Sequence, residues 1–178
     1  MSGDGEPTLS PRFAEAVQAV VHVRALGHFP FFKIVLITNA SGLDSPDVQA
    51  GLKGFTSQDE IWAKLDAGTQ AYLNKVNKTQ VPLQKILANI LTQARQRAVI
   101  IQSLFPLLNG DPPPDEEIEQ YALRLKELKD AGAKIPLVQI YSATRPTPHS
   151  ECGHLPLRTL SRIAQTVRKV AGLQAEVF

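Results

Sequence analysis

Short apolar runs alternate with stretches of helical periodicity along the whole chain, and this alternation restricts the possible folds more than any other feature of the sequence. Five runs read as strands, over 31–38, 61–67, 98–104, 135–141 and 174–178. The first, from Phe31 through Thr38, is continuous and β-branched between Pro30 and Asn39, which predicts a strand buried on both faces. Phe13, Ala16, Val17, Val20 and Val21 predict a helix over 11–26, with Ser10 as its N-cap and Pro11 in its first turn. Shorter helices are expected over 47–53 and 70–76. Pro82 opens a helix whose apolar face is Leu83, Ile86, Leu87, Ile90, Leu91 and Ala94. Pro112, Pro113 and Pro114, followed by Asp115, Glu116 and Glu117, start another, because fixed φ and negative charge both suit a helix N-terminus. Its stripe is Ile118, Tyr121, Ala122, Leu125 and Leu128, and Gly132 stops it. A last helix over 157–170 turns Leu160, Ile163 and Val167 inward. Strands and helices in this alternation form parallel βαβ units, and hence an α/β barrel or a doubly wound sheet.

The 178 residues suffice for one ordinary domain with a sizeable core, expected to span 1–178. With 19 basic against 17 acidic side chains the formal net charge is only +2, which gives no field arguing for nucleic acid or a membrane surface. No run approaches the roughly 20 apolar residues of a membrane span. Residues 1–10 are polar and glycine-rich and lack the basic and apolar regions of a secretory signal, so a cytoplasmic location is expected. Cys152 is the one cysteine, which excludes an internal disulfide and any site built from several thiolates of one chain.

Side chains of a strand alternate between faces, and in the run from Ile61 to Asp66 this puts Ile61, Ala63 and Leu65 on one side and Trp62, Lys64 and Asp66 on the other. Two charges thus share the side opposite the apolar one. By the same count Asn39 ends one strand, Gln102 sits near the end of another, and Gln139 and Tyr141 share a face of a third. Polar groups gathered at C-terminal strand ends are what an α/β barrel active site requires, although a solvated sheet rim has the same composition.

The opening residues Ser2-Gly3-Asp4-Gly5-Glu6-Pro7-Thr8-Leu9-Ser10-Pro11 resemble the glycine-glycine-glutamate-proline motif of radical S-adenosylmethionine enzymes, in the variant SGxGEPTLxP. Downstream, IVLITNAS from Ile34, WAKLDAG from Trp62, VIIQSLF from Val99 and VQIYSATRP from Val138 sit where later strands of that family would be. The resemblance implies a partial TIM-type (βα)6 barrel that lacks its first βα unit. It also implies that Gly5, Glu6 and Pro7 form the turn that receives the methionine amino group, Glu6 holding its shape. Glycine there lets the backbone approach the ligand, and carbonyls accept from an ammonium. Asn39, Lys64 and Asp66 become candidates for the ribose and the methionine carboxylate, with Gln102 and Tyr141 on the adenosine or substrate side. Lys64 pairs either with that carboxylate or with Asp66. Asp4 stands where the simplest form of the motif has glycine.

Members of the family hold a [4Fe-4S] cluster through a CxxxCxxC motif upstream of the glycine-rich turn, and the cluster reduces S-adenosylmethionine to a 5′-deoxyadenosyl radical that takes hydrogen from a substrate. Here only Met1 and Ser2 precede the turn, so the chain is expected to be N-terminally truncated, to bind no metal and to be inactive alone. Three thiolates leave one iron open to the ligand, and one cysteine cannot supply them. An intact enzyme of this kind would need an electron donor and a substrate that this sequence does not name. Two other classes compete. One is a non-catalytic module that binds S-adenosylmethionine or a nucleotide. The other is a phosphate-binding protein, against which Pro7, Pro11 and Glu6 argue by removing backbone donors and adding negative charge.

His149, Cys152 and His154 carry the residue types of zinc sites, but three ligands without a fourth in a proline-bounded connection read better as loop. Arg158, Arg162 and Lys169 lie opposite the stripe of the last helix and read as a solvated face. Trp62 reads as a packing residue.

Overall fold

A computed structural model describes residues 1, 5–27, 32–143 and 152–178. After a 3₁₀ turn, Pro7–Leu9, the chain runs α1 (Phe13–Ala25), β1 (Val35–Thr38), α2 (Pro46–Leu52), β2 (Glu60–Lys64), α3 (Gln70–Asn77) and α4 (Leu83–Gln96). It continues through β3 (Ile100–Leu104), β4 (Leu107–Leu108), α5 (Asp115–Asp130), β5 (Val138–Tyr141), β6 (Cys152–Gly153), α6 (Leu157–Ala171) and β7 (Ala175–Val177). Five strands form one sheet in the order β1-β2-β3-β5-β7, and every pairing in it is parallel. Each strand lies beside the next of the sheet in chain order. The order never reverses, so the doubly wound alternative, which needs a reversal at a switch point, does not describe these strands. All five C-terminal ends therefore share one edge.

Except in β5, where Val138, Gln139 and Ile140 are all buried, the sheet is not enclosed on both faces, contrary to the expectation for the first run. In β1, β2 and β3 burial alternates strictly, with Leu36, Ile61, Ala63 and Ile101 wholly enclosed and Ile37, Trp62, Lys64 and Gln102 half-exposed. One face joins the apolar stripes of α4, α5 and α6 in a single core. The opposite face of β1, β2 and β3 carries mixed residues that are only partly buried, so a period of two replaces the continuous burial of a doubly covered parallel strand. The residues predicted for the stripes of α5 and α6 are all buried, as are five of the six predicted for α4, Leu91 being half-buried.

The first helix departs from its expected start. Arg12, not Ser10, is its N-cap, since the 3₁₀ turn and a further turn take up 7–12, and the Ser10 hydroxyl accepts from Arg12 N at 3.3 Å. Only Phe13 and Val17 of its apolar residues are buried. The small antiparallel pair β4–β6, which joins Leu108 to Cys152, was not legible as strand. No helix of the described residues is long and apolar enough to cross a membrane.

Two buried carboxylates fix the sheet to its loops. Asp59, just before β2, receives Arg24 Nη1 on both oxygens at 2.7 and 2.8 Å, Ile34 N at 2.9 Å and Thr56 N at 2.7 Å. Glu117, in the first turn of α5, receives Gly68 N at 2.6 Å and Thr69 N at 3.2 Å on one oxygen and the Thr69 hydroxyl at 2.6 Å on the other. This brings the loop after β2 so close to α5 that a Cβ on Gly68 would lie 2.0 Å from Tyr121 N.

Gly68→Ala is accordingly expected to destabilise the chain by about 3 kcal/mol in urea unfolding, because backbone on both sides must move to admit one methyl group. Asp59 offers a second check. Burial opposes its ionisation, but Arg24 and the backbone donors of Ile34 and Thr56 outweigh this and lower its pKa below the ordinary 3.8. A carboxylate with a lowered folded pKa stabilises fully above its unfolded value and loses that contribution as pH falls through the folded one. Acid unfolding of the parent should therefore steepen below about pH 4. Asp59→Asn should be less stable by about 3 kcal/mol at neutral pH and should lack that part of the acid limb.

Candidate functional site

The parallel strands deliver the ends of β1, β2 and β3 to one rim, and the loops there enclose a cavity of about 550 Å³. Its size is that of a small-molecule site. One side is built from the turn before α1. Glu6 caps the 3₁₀ turn, and its Oε1 accepts from Thr8 N at 3.1 Å, the Thr8 hydroxyl at 2.6 Å and the Thr38 hydroxyl at 2.5 Å. Its Oε2 accepts from Asn39 N at 2.6 Å. One carboxylate thereby ties the turn to the end of β1, thirty-odd residues away in sequence.

The turn's own carbonyls are partly used. Glu6 O accepts from Leu9 N and Pro7 O from Ser10 N, each at 3.1 Å. Gly5 is different, because a Cβ there would meet nothing within 4 Å. The described protein does not demand glycine at this position, which leaves the backbone accessible from the cavity.

The other polar side comes from β2 and the loop after it. Lys64 Nζ donates to Asp66 Oδ1 at 3.3 Å and to the Tyr141 hydroxyl at 2.9 Å. Burial works against its charge, yet the Asp66 carboxylate and Tyr141 more than compensate and raise its pKa above the ordinary lysine value. The ammonium is therefore held charged beside the cavity. Asp66 is 2% exposed and its oxygens are engaged by protein donors as well: Leu104 N reaches Oδ1 at 2.8 Å and Asn77 Nδ2 reaches Oδ2 at 3.0 Å. It joins the ends of β2 and β3 to the end of α3.

Of the residues marked by sequence, Gly5, Glu6, Pro7, Asn39, Lys64 and Asp66 line this one cavity. Tyr141 touches it through Lys64. Gln102 stands apart: its side chain lies 3.4 Å from Gln139 and its carbonyl accepts from Leu65 N, so the face it shares with Lys64 does not bring it to the cavity. Gly3 and Asp4 of the motif lie outside the described residues. Sequence reading missed Thr38, Ser41, Asn77, Lys78 and Thr79, which also line the cavity. The polar run from Asn77 to Thr79 was the available signal, since Lys78 ends α3 in the left-handed region at φ 47°. Leu73, Val81, Ile86 and Leu104 add an apolar wall.

The residues present do not fit a [4Fe-4S] cluster. Cys152, the single cysteine, lies in β6 and does not line the cavity. Among the described residues no group of three His, Cys, Asp or Glu is placed to hold a metal ion. His149 lies outside the described residues, so the three-residue histidine and cysteine cluster is not seen entire.

No family model matches the chain, and no curated protein matches its sequence. The solved structure of Streptococcus suis SuiB bound to S-adenosylmethionine is similar in fold, with a TM-score of 0.70 and 14% sequence identity. The match covers 98% of this chain, which spans 38% of the length of that protein. At this identity the likeness is one of fold: this chain folds like part of that structure.

Proposed function

We propose that the rim cavity holds S-adenosylmethionine and that the chain is the ligand-holding part of a radical S-adenosylmethionine barrel. The observation that carries this reading is the Glu6 carboxylate, which locks the glycine-containing turn to the end of β1 opposite a charged Lys64 on the same cavity. The motif resemblance and the likeness in fold to a protein with this ligand bound support it. A wall of five parallel strands in chain order supports the barrel.

In this reading the accessible backbone at Gly5 receives the methionine ammonium, and Lys64 receives the methionine carboxylate. Asp66 and Tyr141 keep the Lys64 ammonium charged and aimed, while Asn77 and Leu104 keep Asp66 in place. The wall of Leu73, Val81 and Ile86 accepts the less polar part of the ligand and excludes water from it. Reductive cleavage is not assigned to these residues, because the thiolates for a cluster are not among them. A second reading is a module that binds the ligand without redox chemistry, which these 178 residues by themselves equally allow.

Calorimetric titration tests the proposal. S-adenosylmethionine should bind the parent chain, and Lys64→Ala should weaken it about tenfold or more, the effect of losing one charge-assisted hydrogen bond. Glu6→Gln keeps the volume but faces four donors with a neutral amide, so both affinity and unfolding midpoint should fall. Affinity unchanged in both variants would remove the site assignment. Iron analysis after anaerobic reconstitution separates the redox question: the chain should retain no stoichiometric cluster through gel filtration. About four irons per chain, kept in Cys152→Ala, would show that cluster ligands had been overlooked.

A further inference from the structure

Ser41 is the residue of the rim whose chemistry the proposed site leaves unused. It lines the cavity, it is 6% exposed, and its hydroxyl has no hydrogen-bond partner among the described residues. The other buried side-chain atom in that condition, Arg97 Nε, belongs to a guanidinium already anchored through Nη2 to the carbonyls of Thr56 and Asp59 at 2.8 and 2.7 Å. Ser41 has no such alternative anchor in its side chain. Leaving a buried hydroxyl unbonded is unfavourable, so a loop free to adjust would turn it towards a partner.

This loop is not free to adjust. Ser41 N donates to Asn39 Oδ1 at 2.9 Å, and Asn89 Nδ2 reaches the carbonyls of Ala40 at 2.8 Å and Ser41 at 3.4 Å. Ala40, a residue with a Cβ, is held at φ 64°, where backbone strain accumulates. On the far side Gly42 is pressed against the 3₁₀ turn, a Cβ there falling 2.6 Å from Thr8 O. The backbone around Ser41 is over-determined on both sides, and the hydroxyl is the one polar group of the residue left to a ligand.

We propose that the Ser41 hydroxyl binds the nucleoside part of the ligand in the rim cavity; this rests on the S-adenosylmethionine reading above. The two charged ends of the methionine moiety call for a cation and for backbone acceptors, and Lys64 and the Gly5 turn provide them. A neutral hydroxyl that both donates and accepts matches the ribose hydroxyls and ring nitrogens instead. Ser41 shares the cavity with Leu73, Val81 and Ile86, the surface that suits a flat base.

The test is Ser41→Ala, titrated calorimetrically with S-adenosylmethionine and with 5′-methylthioadenosine, alongside thermal unfolding without ligand. Affinity for both ligands should fall about three- to tenfold, the range for one neutral hydrogen bond. The midpoint of the unliganded variant should stay level or rise, because the hydroxyl removed was making no bond. Unchanged affinity in a parent that binds S-adenosylmethionine would overturn the inference and leave the cavity reading standing. A loss confined to S-adenosylmethionine would overturn the nucleoside assignment, and a midpoint lower by several degrees with affinity retained would show a structural role instead. A parent that binds neither ligand would bring down the cavity reading itself, and the inference with it.

Discussion

A single carboxylate organises the C-terminal rim of the sheet. Glu6 accepts from Thr8, Thr38 and Asn39, and through those donors the turn before α1 is bound to the end of β1. Hydrogen bonds to a charged acceptor are stronger than neutral ones, and here several converge on a group that is partly shielded from water. The consequence is geometric as much as energetic. Thr38 passes the restraint on, since its hydroxyl also accepts from Ala40 N at 3.0 Å, and Asn39 does the same for Ser41 N. Remove the carboxylate and the loop after β1 loses the reference point from which its own conformation is set.

The two ends of the sheet carry cavities of nearly equal volume, about 550 Å³ at the C-terminal rim and about 560 Å³ at the opposite end. Volume does not decide between them; the polar groups left without a protein partner do. At the lower end Lys33 pairs with Glu60 at 2.8 Å, Arg24 with Asp59, and Arg97 with two carbonyls. Those groups are occupied in joining loops to strands. At the rim Lys64 is likewise paired, with Asp66 and Tyr141, but that cavity also presents an accessible glycine backbone and an unbonded hydroxyl. Carboxylates tie loops to strands at both ends, Asp59 at the lower one and Glu6, Asp66 and Glu117 at the rim, and the proposed recognition falls at the rim, where parallel α/β architectures bind ligands.

How far the sequence reveals this depends on the range of the interaction. The five sheet strands and the helices follow from periodicity, a local property, and the period of two in Ile61 to Asp66 already separates Lys64 and Trp62 from Ile61 and Ala63. Asp66 was marked for its charge and its place at a strand end, but its work of tying Leu104 to Asn77 depends on contacts across the fold that no local pattern contains. Gln102 shows the converse: a correct face and a strand near the cavity did not bring it to the site. The outer face of β1 was misjudged because a continuous apolar run looks the same whether one side of a strand is buried or two. The pair β4–β6 was missed because two-residue strands leave no periodicity to read.

The loop after β1 shows why the remainder lay beyond reach. Ser41 in sequence is one small polar residue beside a glycine, a combination common to any turn. It becomes distinctive only when Asn89 on α4 holds the Ala40 and Ser41 carbonyls, when Gly42 closes on Thr8, and when the strained Ala40 leaves its neighbour no way to satisfy its own hydroxyl. Each restraint comes from a different element, and together they cost stability: a left-handed residue with a Cβ and a buried polar atom without a partner are both unfavourable. Folding alone does not require either. A chain that keeps both at the mouth of a cavity, in the loop that the Glu6 carboxylate fixes, holds that rim in one shape, which in the proposed reading suits the ligand before it arrives.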